Sequence, residues 1–206
     1  MTAGNESTER QKEIHSSLLS LGDIPFIEEK QRIGRFASTL ISHGESLLID
    51  GGSTTLLFSS YLKDKSHMMV ITNSYRIGTL IGGDKYLKNK FILLGGESTK
   101  EAMPTYGEYT CEVLSTVKVN LSFMSVSGIS PSGALYASTK EAAMAKSYMI
   151  SAAHKVIILA DYSKFNTETK YKIGDLSSVD MLITDKRISR SEISRLQRPD
   201  LTIHTV

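Results

Sequence analysis

The sequence predicts an α/β fold in which a parallel, Rossmann-like sheet is flanked by helices. Short, continuous apolar runs recur along the chain, each ending in Gly, Asp, Asn, Thr or Ser. Runs of this kind are typical of parallel strands that are buried on both faces. Helical patterns alternate with the runs, and this alternation is characteristic of a parallel sheet with crossover helices.

The predicted strands and helices follow one another without interruption by a repeat or a second linker. The strands cover Ser46–Asp50, Met68–Thr72, Phe91–Leu94, Leu121–Val126, Val156–Asp161 and Met181–Asp185, with Leu201–Val206 expected to close an edge. The helices between them cover Thr54–Lys63, Tyr75–Ile81, Glu108–Val117, Lys140–His154 and Ser189–Gln197. We therefore expect one domain.

A further helix precedes the first strand. Apolar residues recur at steps of three and four within Glu28–Ser42, and Gly44 suits the end of this helix. Residues 1–24 are polar, with a weak helical pattern over Glu9–Leu21, and are expected to be a linker or the remnant of a tag. The domain itself is expected over residues 25–206.

Composition favours a protein of the cytoplasm. The net charge is +2, from 24 basic and 22 acidic residues, which gives no electrostatic reason for strong binding to DNA or membranes. No apolar run approaches the roughly 20 residues that span a bilayer, and the polar N-terminus lacks the apolar core of a secretory signal. Cys111 is the single cysteine, so it is expected to be a small buried residue.

The segment Leu47–Thr55 reads as a buried strand, a glycine-rich turn and the start of a helix. Gly51 and Gly52 allow close approach of the backbone to a ligand. Ser53, Thr54 and Thr55 offer hydroxyls and amides at a helix N-terminus, where unpaired donors and the helix dipole favour a phosphate. Alternatively, Ser53 caps the helix and the glycines only form the turn.

Two other predicted strands end in a similar way. Thr72, Asn73 and Ser74 follow one strand, and either cap the next helix or bind a ligand. Gly95 and Gly96 follow the next strand. Because ligands of open parallel sheets bind at the carboxyl ends of the strands, three such ends favour a small anionic ligand.

These segments belong to an ordered series that runs from about residue 25 to residue 200. The series reads Pro25-Phe26, Glu29-Lys30, Ile33-Gly34, Leu48–Thr55, Val70–Ser74, Leu94–Gly96, Tyr106-Gly107, Ser125–Ser130, Gly133, Lys140–Ala142, Lys146, Met149 and Ile158–Phe165. Each segment is weak evidence by itself, but the ordered series closely resembles the C-terminal domain of DeoR-type transcriptional repressors.

The resemblance implies a fold similar to ribose phosphate isomerases and glucosamine phosphate deaminases, and a phosphorylated sugar or related metabolite as the effector. It implies that the loop from Gly51 to Thr55 holds the phosphate, with help from the other glycine-bearing loops, and that Lys164 lies at the site. The effector-binding residues expected on this basis are Asp50, Gly51, Gly52, Ser53, Thr54, Thr55, Thr72, Asn73, Gly95, Gly96, Ser127, Gly128, Lys140, Glu141 and Lys164.

The assignment of Lys164 depends on the resemblance more than on the residues. Spacing alone favours a solvated surface position for Lys164, since most lysines are exposed. The resemblance reverses that preference, because a lysine can neutralise a phosphate. It leaves Asp161 undecided between a turn cap and a ligand-binding role.

The main alternative is a sugar-phosphate isomerase or deaminase on the same fold. In the related isomerases a glutamate near the start of this helix is the proton-transfer base, and Glu141 matches its position. Those enzymes also carry aspartates in the loop that here reads Ser125–Ser130, and a lysine where this chain reads Pro131–Gly133. Both are missing, which argues for a site that binds without turnover, so no catalytic residue is expected.

Other kinds of site find little support. The five histidines show no HxH or HExxH spacing, so no metal ion is expected. Ser53 is not in a GxSxG setting, which disfavours a hydrolase. A nucleotide-binding Rossmann domain would need a GxGxxG turn, so no cofactor is expected either.

DeoR-type repressors carry a winged helix-turn-helix ahead of the sensor domain, and the chain before Glu28 is too short for one. Either the chain is truncated or the gene product lacks this module; we favour truncation, and expect DNA contact only through the absent N-terminal domain. A homo-oligomer is expected from the family and from the symmetry of bacterial operators. No membrane contact is expected.

Overall fold

A seven-stranded parallel sheet forms the centre of the structure, a computed structural model that describes residues 24–82, 88–98 and 104–206. The strands lie in the order β10-β9-β7-β4-β1-β2-β3. They are β1 (Ser46–Ile49), β2 (Met69–Thr72), β3 (Lys90–Leu93), β4 (Val119–Ser125), β7 (Ala153–Leu159), β9 (Met181–Thr184) and β10 (Thr202–Thr205). The predicted parallel sheet is therefore confirmed.

Six helices described in the structure cover the two faces of this sheet. They are α1 (Ile27–Ser38), α2 (Ser53–Ser60), α3 (Tyr75–Gly82), α4 (Glu108–Thr116), α5 (Lys140–Ser151) and α6 (Arg190–Leu196). No helix in the described part of the chain is long and apolar enough to cross a bilayer.

The sheet separates two apolar cores. Leu47 and Ile49 pack with α1, α2 and α3 on one face, whereas Leu48 packs on the other face with α4, α5 and α6. Successive side chains of a strand point to opposite faces, so a continuous apolar run supplies both cores at once.

A small antiparallel sheet was not predicted. It consists of β5 (Gly128–Ile129), β6 (Ala134–Ala137) and β8 (Tyr171–Asp175), in the order β5-β6-β8. β5 has only two residues, and the register between β6 and β8 shifts at Leu135/Tyr136. β5 and β6 show no clear alternation of apolar and polar residues, and β8 alternates over only three residues, so the usual sequence signal is weak.

Three predictions about individual elements need correction or fall outside the described residues. The run at Phe91–Leu94 was expected to be buried on both faces, but only Leu94 is buried, and residues 91–93, in the edge strand β3, are exposed. The first helix ends at Ser38 rather than near Gly44, because the next three backbone amides, of residues 39–41, donate to carbonyls three residues back instead of four. The helical pattern at Glu9–Leu21 lies outside the described residues.

Candidate functional site

The chain reverses its direction of winding between β1 and β4. From β1 it proceeds through β2 to β3 on one side, and it returns to place β4, β7, β9 and β10 on the other. At such a switch point the loops diverge and leave a crevice at the carboxyl ends of the two strands. The residues that follow β1 and β4 therefore lie where an open parallel sheet binds its ligands.

Two glycines let the loop after β1 pack closely against its neighbours. A Cβ atom on Gly52 would overlap Ser125 Oγ and lie 2.9 Å from Ser125 Cβ, at the end of β4. A Cβ atom on Gly51 would lie 2.7 Å from Cβ and Cγ of Pro104. Both glycines are needed for space, since neither has a positive φ.

Gly52 is also the N-cap of α2, and it has no side chain with which to accept the amides of the first turn. Its own N–H donates to Thr55 Oγ1 at 2.9 Å. Ser53 is the first helical residue and is exposed, so the alternative in which Ser53 caps the helix is wrong. The amides of the first turn therefore have no hydrogen-bond acceptor from an N-cap side chain, and an anion bound here could accept their hydrogen bonds. The anion would also lie at the positive end of the helix dipole.

A buried ion pair fixes the base of the crevice. Asp50 is fully buried, and its Oδ2 atom accepts the Lys146 ammonium, the Ser125 hydroxyl at 2.7 Å and the Ser125 amide at 3.1 Å. Lys146 Nζ also donates to the Ser125 carbonyl at 2.9 Å. Asp50 Oδ1 has no hydrogen-bond partner among the described residues, so it remains able to accept one.

Asn73, at the end of β2, connects the loop after β1 to the segment 104–106. Its Oδ1 accepts the Gly51 amide at 2.9 Å, and its Nδ2 donates to the Thr105 carbonyl at 2.9 Å. The Thr105 amide donates to the Asn73 carbonyl at 2.7 Å. Asn73 therefore holds the glycine loop and this segment in one arrangement, while Ser74 Oγ accepts an amide of α3 as a cap.

Tyr106 brings a phenol close to the same residues. Burial raises the pKa of Tyr106 well above its ordinary value, the negative charge of Asp50 raises it further, and a hydrogen bond with Asn73 opposes the shift. The neutral phenol is consequently the stable form beside Asp50 over the whole neutral range. Tyr106 is fixed through two backbone hydrogen bonds with Glu97, at 2.7 and 2.8 Å.

A small cleft opens over the start of α2. On the side of α3 the cleft is lined by Ser74, Arg76 and Pro104. The other lining residues are Ile24, Gly51, Gly52, Ser53 and Leu56. Arg76 brings a permanent positive charge to the wall that faces the α2 N-terminus. Cleft and crevice together offer amides, hydroxyls and a guanidinium, which are groups that recognise a phosphate.

A second charged cluster lies at the end of β7. Asp161 is fully buried; its Oδ1 accepts the Ser163 amide at 3.0 Å, and its Oδ2 lies 3.6 Å from Lys30 Nζ. Burial lowers the pKa of Lys30, with Asp161 opposing the shift and the nearby charge of Lys164 adding to it. Lys164 therefore belongs to this cluster, two strands away from β1.

Comparison with known proteins assigns the chain to a family. A family model described as the DeoR C terminal sensor domain matches residues 26–186. The chain belongs to this family.

Two relatives of this DeoR sensor domain are repressors by name. The chain is 34% identical over 171 residues to the HTH-type transcriptional repressor GlcR of Bacillus subtilis (strain 168), covering 83% of this chain and 65% of the relative. It is 29% identical over 159 residues to the Glycerol-3-phosphate regulon repressor of Escherichia coli (strain K12), covering 77% and 62%. The chain thus spans less than two thirds of the length of these relatives.

Solved structures share the fold at low sequence identity. The structure of eIF2B delta from Chaetomium thermophilum matches with a TM-score of 0.53 at 17% identity, covering 88% of this chain and 63% of that one. Ribose 5 phosphate isomerase A from Neisseria gonorrhoeae matches with a TM-score of 0.46 at 16% identity, covering 66% and 52%. The first likeness shows a common Rossmann-like α/β fold.

The sensor domain brings some of the predicted effector-binding residues together and separates others. Asp50, Gly51, Gly52 and the start of α2 lie at the switch point, where Asn73 bonds to Gly51. Thr72 is buried beside them, and its hydroxyl accepts the Ser74 amide at 3.1 Å.

The remaining predicted residues lie further out. Gly95 and Gly96 are exposed after β3, where Gly96 has φ +135° and a Cβ atom would overlap the Tyr106 carbonyl. Ser127 and Gly128 lead into the small sheet, and Gly128 packs against the Thr167 carbonyl. Lys140 and Glu141 are both exposed at the first turn of α5.

Several residues of the site were absent from the predicted set. Lys146 was part of the family resemblance, and its position among Ala142, Ala145 and Met149 on the buried face of α5 marks it as an inward-pointing lysine. Lys30 is likewise on the buried face of α1. Arg76 lies in the first turn of α3, where a cation opposes the helix dipole and therefore suggests a local function.

The described residues contain no group of three or more His, Cys, Asp or Glu side chains that could hold a metal ion. Cys111 is buried, as predicted, and burial raises the pKa of its thiol. A thiol with a raised pKa is a poor nucleophile.

Proposed function

We propose that this chain is the effector-binding domain of a DeoR-family transcription regulator of sugar metabolism, and that it binds a phosphorylated sugar at the β1–α2 loop. The observation that carries the proposal is the start of α2, where a glycine N-cap at the topological switch point leaves the first-turn amides without a side-chain cap. A phosphate is the natural ligand of such a helix end.

The surroundings of this helix end suit both parts of a sugar phosphate. Arg76 and Ser74 in the wall of the cleft can bind phosphate oxygens. Asp50 Oδ1 has no hydrogen-bond partner among the described residues but is buried, so a sugar hydroxyl would reach it only after the covering loop moves. Tyr106 lies near Asp50 and is hydrogen-bonded to Asn73. Lys164 would join them only if the sugar extends across β4 toward β7.

The relatives support a regulatory function for a phosphorylated metabolite. Both are repressors by name, and one of them is named for a regulon of glycerol-3-phosphate. In a full-length regulator of this kind, DNA contact belongs to a separate domain. An effector can change that contact only by binding two arrangements of the sensor with different affinity.

An isomerase or deaminase would need a base beside the substrate carbon. Glu141, the matching position, is exposed in the first turn of α5, and the loop Ser125–Ser130 carries no carboxylate. Asp50, the carboxylate nearest the switch point, is already engaged by Lys146 and Ser125. These contacts support a binding site that works without turnover.

The test is a thermal-denaturation titration of the chain with a panel of sugar phosphates, the same sugars without phosphate, and inorganic phosphate. A ligand that binds only the folded state stabilises it by about 2.7 kcal/mol at one hundred times its dissociation constant. We expect stabilisation by one phosphorylated sugar, and little by its unphosphorylated form.

Variants locate the site. Arg76→Gln and Thr54→Val are expected to weaken binding by about tenfold or more, whereas Lys170→Ala, which removes an exposed lysine, leaves it unchanged. Lys164→Ala tests whether the cluster at β7 takes part. A folded protein that no phosphorylated compound stabilises would contradict the proposal, and turnover of a bound sugar phosphate would replace it with the enzymatic alternative.

A further inference from the structure

The segment Ile24–Phe26 precedes α1 and reaches the cleft over the start of α2. Ile24 lines this cleft together with Gly52 and Arg76, and the other lining residues all lie between residues 51 and 104. An anion that accepts the first-turn amides of α2 would therefore lie beside the chain just ahead of α1. Since the segment belongs to none of the elements that form the rest of the cleft, other contacts must hold it there.

A buried lysine of α1 provides one of these contacts. Lys30 is 2% exposed, and its Nζ donates to the Pro25 carbonyl at 2.6 Å. The same Nζ lies 3.6 Å from Oδ2 of Asp161, a fully buried carboxylate after β7. Burying an unpaired ammonium is costly, and Asp161 offsets that cost. The ion pair thus keeps Nζ at the point where it can hold the backbone of the segment.

Phe26 adopts a backbone conformation that requires such support. Its φ of 57° and ψ of 42° are left-handed, which is uncommon for a residue other than glycine and persists only where surrounding contacts fix it. The Phe26 ring packs edge-on against Tyr162, with ring centroids 5.1 Å apart. The Arg187 guanidinium lies 3.8 Å from the centroid of the Tyr162 ring and bonds to Glu29 of α1 at 3.2 Å. The turn is therefore held by α1 together with the loops after β7 and β9.

We propose that the segment Ile24–Phe26 is a wall of the effector cleft, that Lys30 positions this wall, and that an anion in the cleft stabilises the segment in its place. The inference rests on the proposed binding of a phosphorylated effector at the β1–α2 loop. With its ammonium buried between Pro25 and Asp161, Lys30 acts on the anion through the segment.

The apolar side chain of Ile24 gives the wall its effect on the anion. Ile24 and Leu56 exclude water from part of the cleft, and hydrogen bonds to an anion are stronger where water is excluded. By linkage, an effector that prefers the cleft with the segment in place makes departure of the segment less frequent by the same factor. The effector then acts directly on the point at which the chain enters α1.

Chymotrypsin cleavage after Phe26 tests the positioning without any ligand. A protease needs an extended segment, so the rate of this cut measures how often the turn opens. We expect Lys30→Met to raise the rate about tenfold or more, measured by mass spectrometry of the fragment that begins at Ile27. A faster cut here without faster cuts in the core strands separates local opening from a general loss of stability. Because Lys30→Met leaves Asp161 unpaired, the double variant Lys30→Met/Asp161→Asn is measured as well, and circular dichroism checks that both are folded.

Lys65→Met is the matched control. Lys65 Nζ also donates to a backbone carbonyl at 2.6 Å, that of Ile41, which follows the opposite end of α1. We expect the cut after Phe26 to keep its wild-type rate in this variant. An unchanged rate in both Lys30 variants, or an equal rise in Lys65→Met, would overturn the positioning role.

Charge substitutions at Ile24 test whether an anion lies against the segment. The probes are inorganic phosphate and the sugar phosphates of the panel above, with dissociation constants from thermal-denaturation titrations. We expect Ile24→Lys to bind phosphate about tenfold more tightly than Ile24→Glu, with Ile24→Gln between them, because a charge beside the phosphate acts directly on its affinity. A merely structural role of Ile24 would change all three variants alike. Lys170→Glu, which reverses the charge of an exposed lysine, should bind like wild type.

The outcomes separate this inference from the proposed function. The bound probe should slow the cut after Phe26 in wild type, since it stabilises the closed segment. Equal affinities of the three Ile24 variants, with the probe still bound, would overturn the wall and leave the proposed function standing. A wild-type chain that no probe stabilises would overturn the proposed function and the anion contact together, and the cleavage rates would still decide the role of Lys30.

Discussion

Gly52 has φ −145°, an extended backbone that any residue adopts, so only its lack of a side chain makes it necessary. We expect Gly52→Ala to lower the free energy of unfolding by about 1–3 kcal/mol, because the new methyl group overlaps Ser125 Oγ and the loop must shift. The same shift should weaken binding of the stabilising sugar phosphate. Urea denaturation and the thermal titration measure the two effects.

Gly95→Ala is the control for this change. A Cβ atom at Gly95 meets nothing within 4 Å, so we expect a change below about 0.5 kcal/mol. Equal losses from the two substitutions would show that the close packing of Gly52 on Ser125 has no special importance.

Tyr106 gives an expected pH dependence. Because burial raises its pKa above the ordinary value of 10.0, the folded protein keeps the phenolic proton at a pH where the unfolded chain releases it. This contribution to stability is complete below pH 10 and is lost as the pH rises from 10 toward the pKa of the folded state. We expect the stability of wild type to fall more steeply above pH 10 than that of Tyr106→Phe.

Tyrosinate absorbance checks the same assignment. Folded wild type and Tyr106→Phe should show the same phenolate signal just above pH 10, and a difference should appear only after unfolding in urea. A difference already present in the folded proteins at this pH would contradict the burial of Tyr106.

Some site residues carried a sequence signal and others did not. Gly51, Gly52 and Asn73 follow apolar runs directly, so their position at the carboxyl end of the sheet could be predicted. Arg76 and Tyr106 could not, because they reach the crevice through the packing of α3 and of the segment 104–106 against β1. Those contacts depend on the order of the strands, which local periodicity does not contain.

At the scale of elements, Asn73 joins the β1–α2 loop to the segment that follows residue 103. Asn73→Ala removes the bonds to the Gly51 amide and the Thr105 carbonyl, and we expect it to cost about 2 kcal/mol and to weaken phosphate binding. Urea denaturation and the ligand titration measure both.

Asn120→Ala is a matched control at the opposite end of β1. Asn120 Oδ1 also makes two hydrogen bonds, to the amide and hydroxyl of Ser46, but in an exposed position. We expect a smaller loss of stability there and unchanged ligand affinity. A weaker affinity in Asn120→Ala would mean that general loosening of β1, rather than the crevice loop, explains the effect of Asn73→Ala.

The elements also show where prediction from sequence was sufficient. Strands buried on both faces, such as β4 and β7, were found because their apolar runs are continuous. The same reasoning predicted a buried β3, since a run of Phe, Ile and Leu has the same appearance at an edge as at the centre of a sheet. Its exposure depends on having one neighbouring strand rather than two.

At the scale of the whole molecule, the two apolar cores share one sheet and should unfold together. Phe58 stacks on Phe123 with ring centroids 4.3 Å apart in one core. We expect Phe58→Ala to cost about 3–5 kcal/mol. Far-UV and near-UV circular dichroism should still report a single, coincident transition.

Leu135→Ala, in the opposite core, should shift the same single transition. If either variant produced a second transition that leaves the other core intact, the two faces would be independent cooperative units. That result would contradict unfolding as one sheet.

Helix α5 begins in solvent and is anchored in the crevice: Lys140 and Glu141 are exposed at its first turn, and Lys146 bonds to Asp50 and to the Ser125 carbonyl near its middle. Any ligand that favours one position of Lys146 then also favours one position of the helix, because a buried carboxylate that loses its counter-ion is costly. By thermodynamic linkage the effect is reciprocal, so a contact that holds α5 from outside would change the affinity for the ligand by the same factor. The helix would then carry information in both directions between the crevice and the surface of the domain.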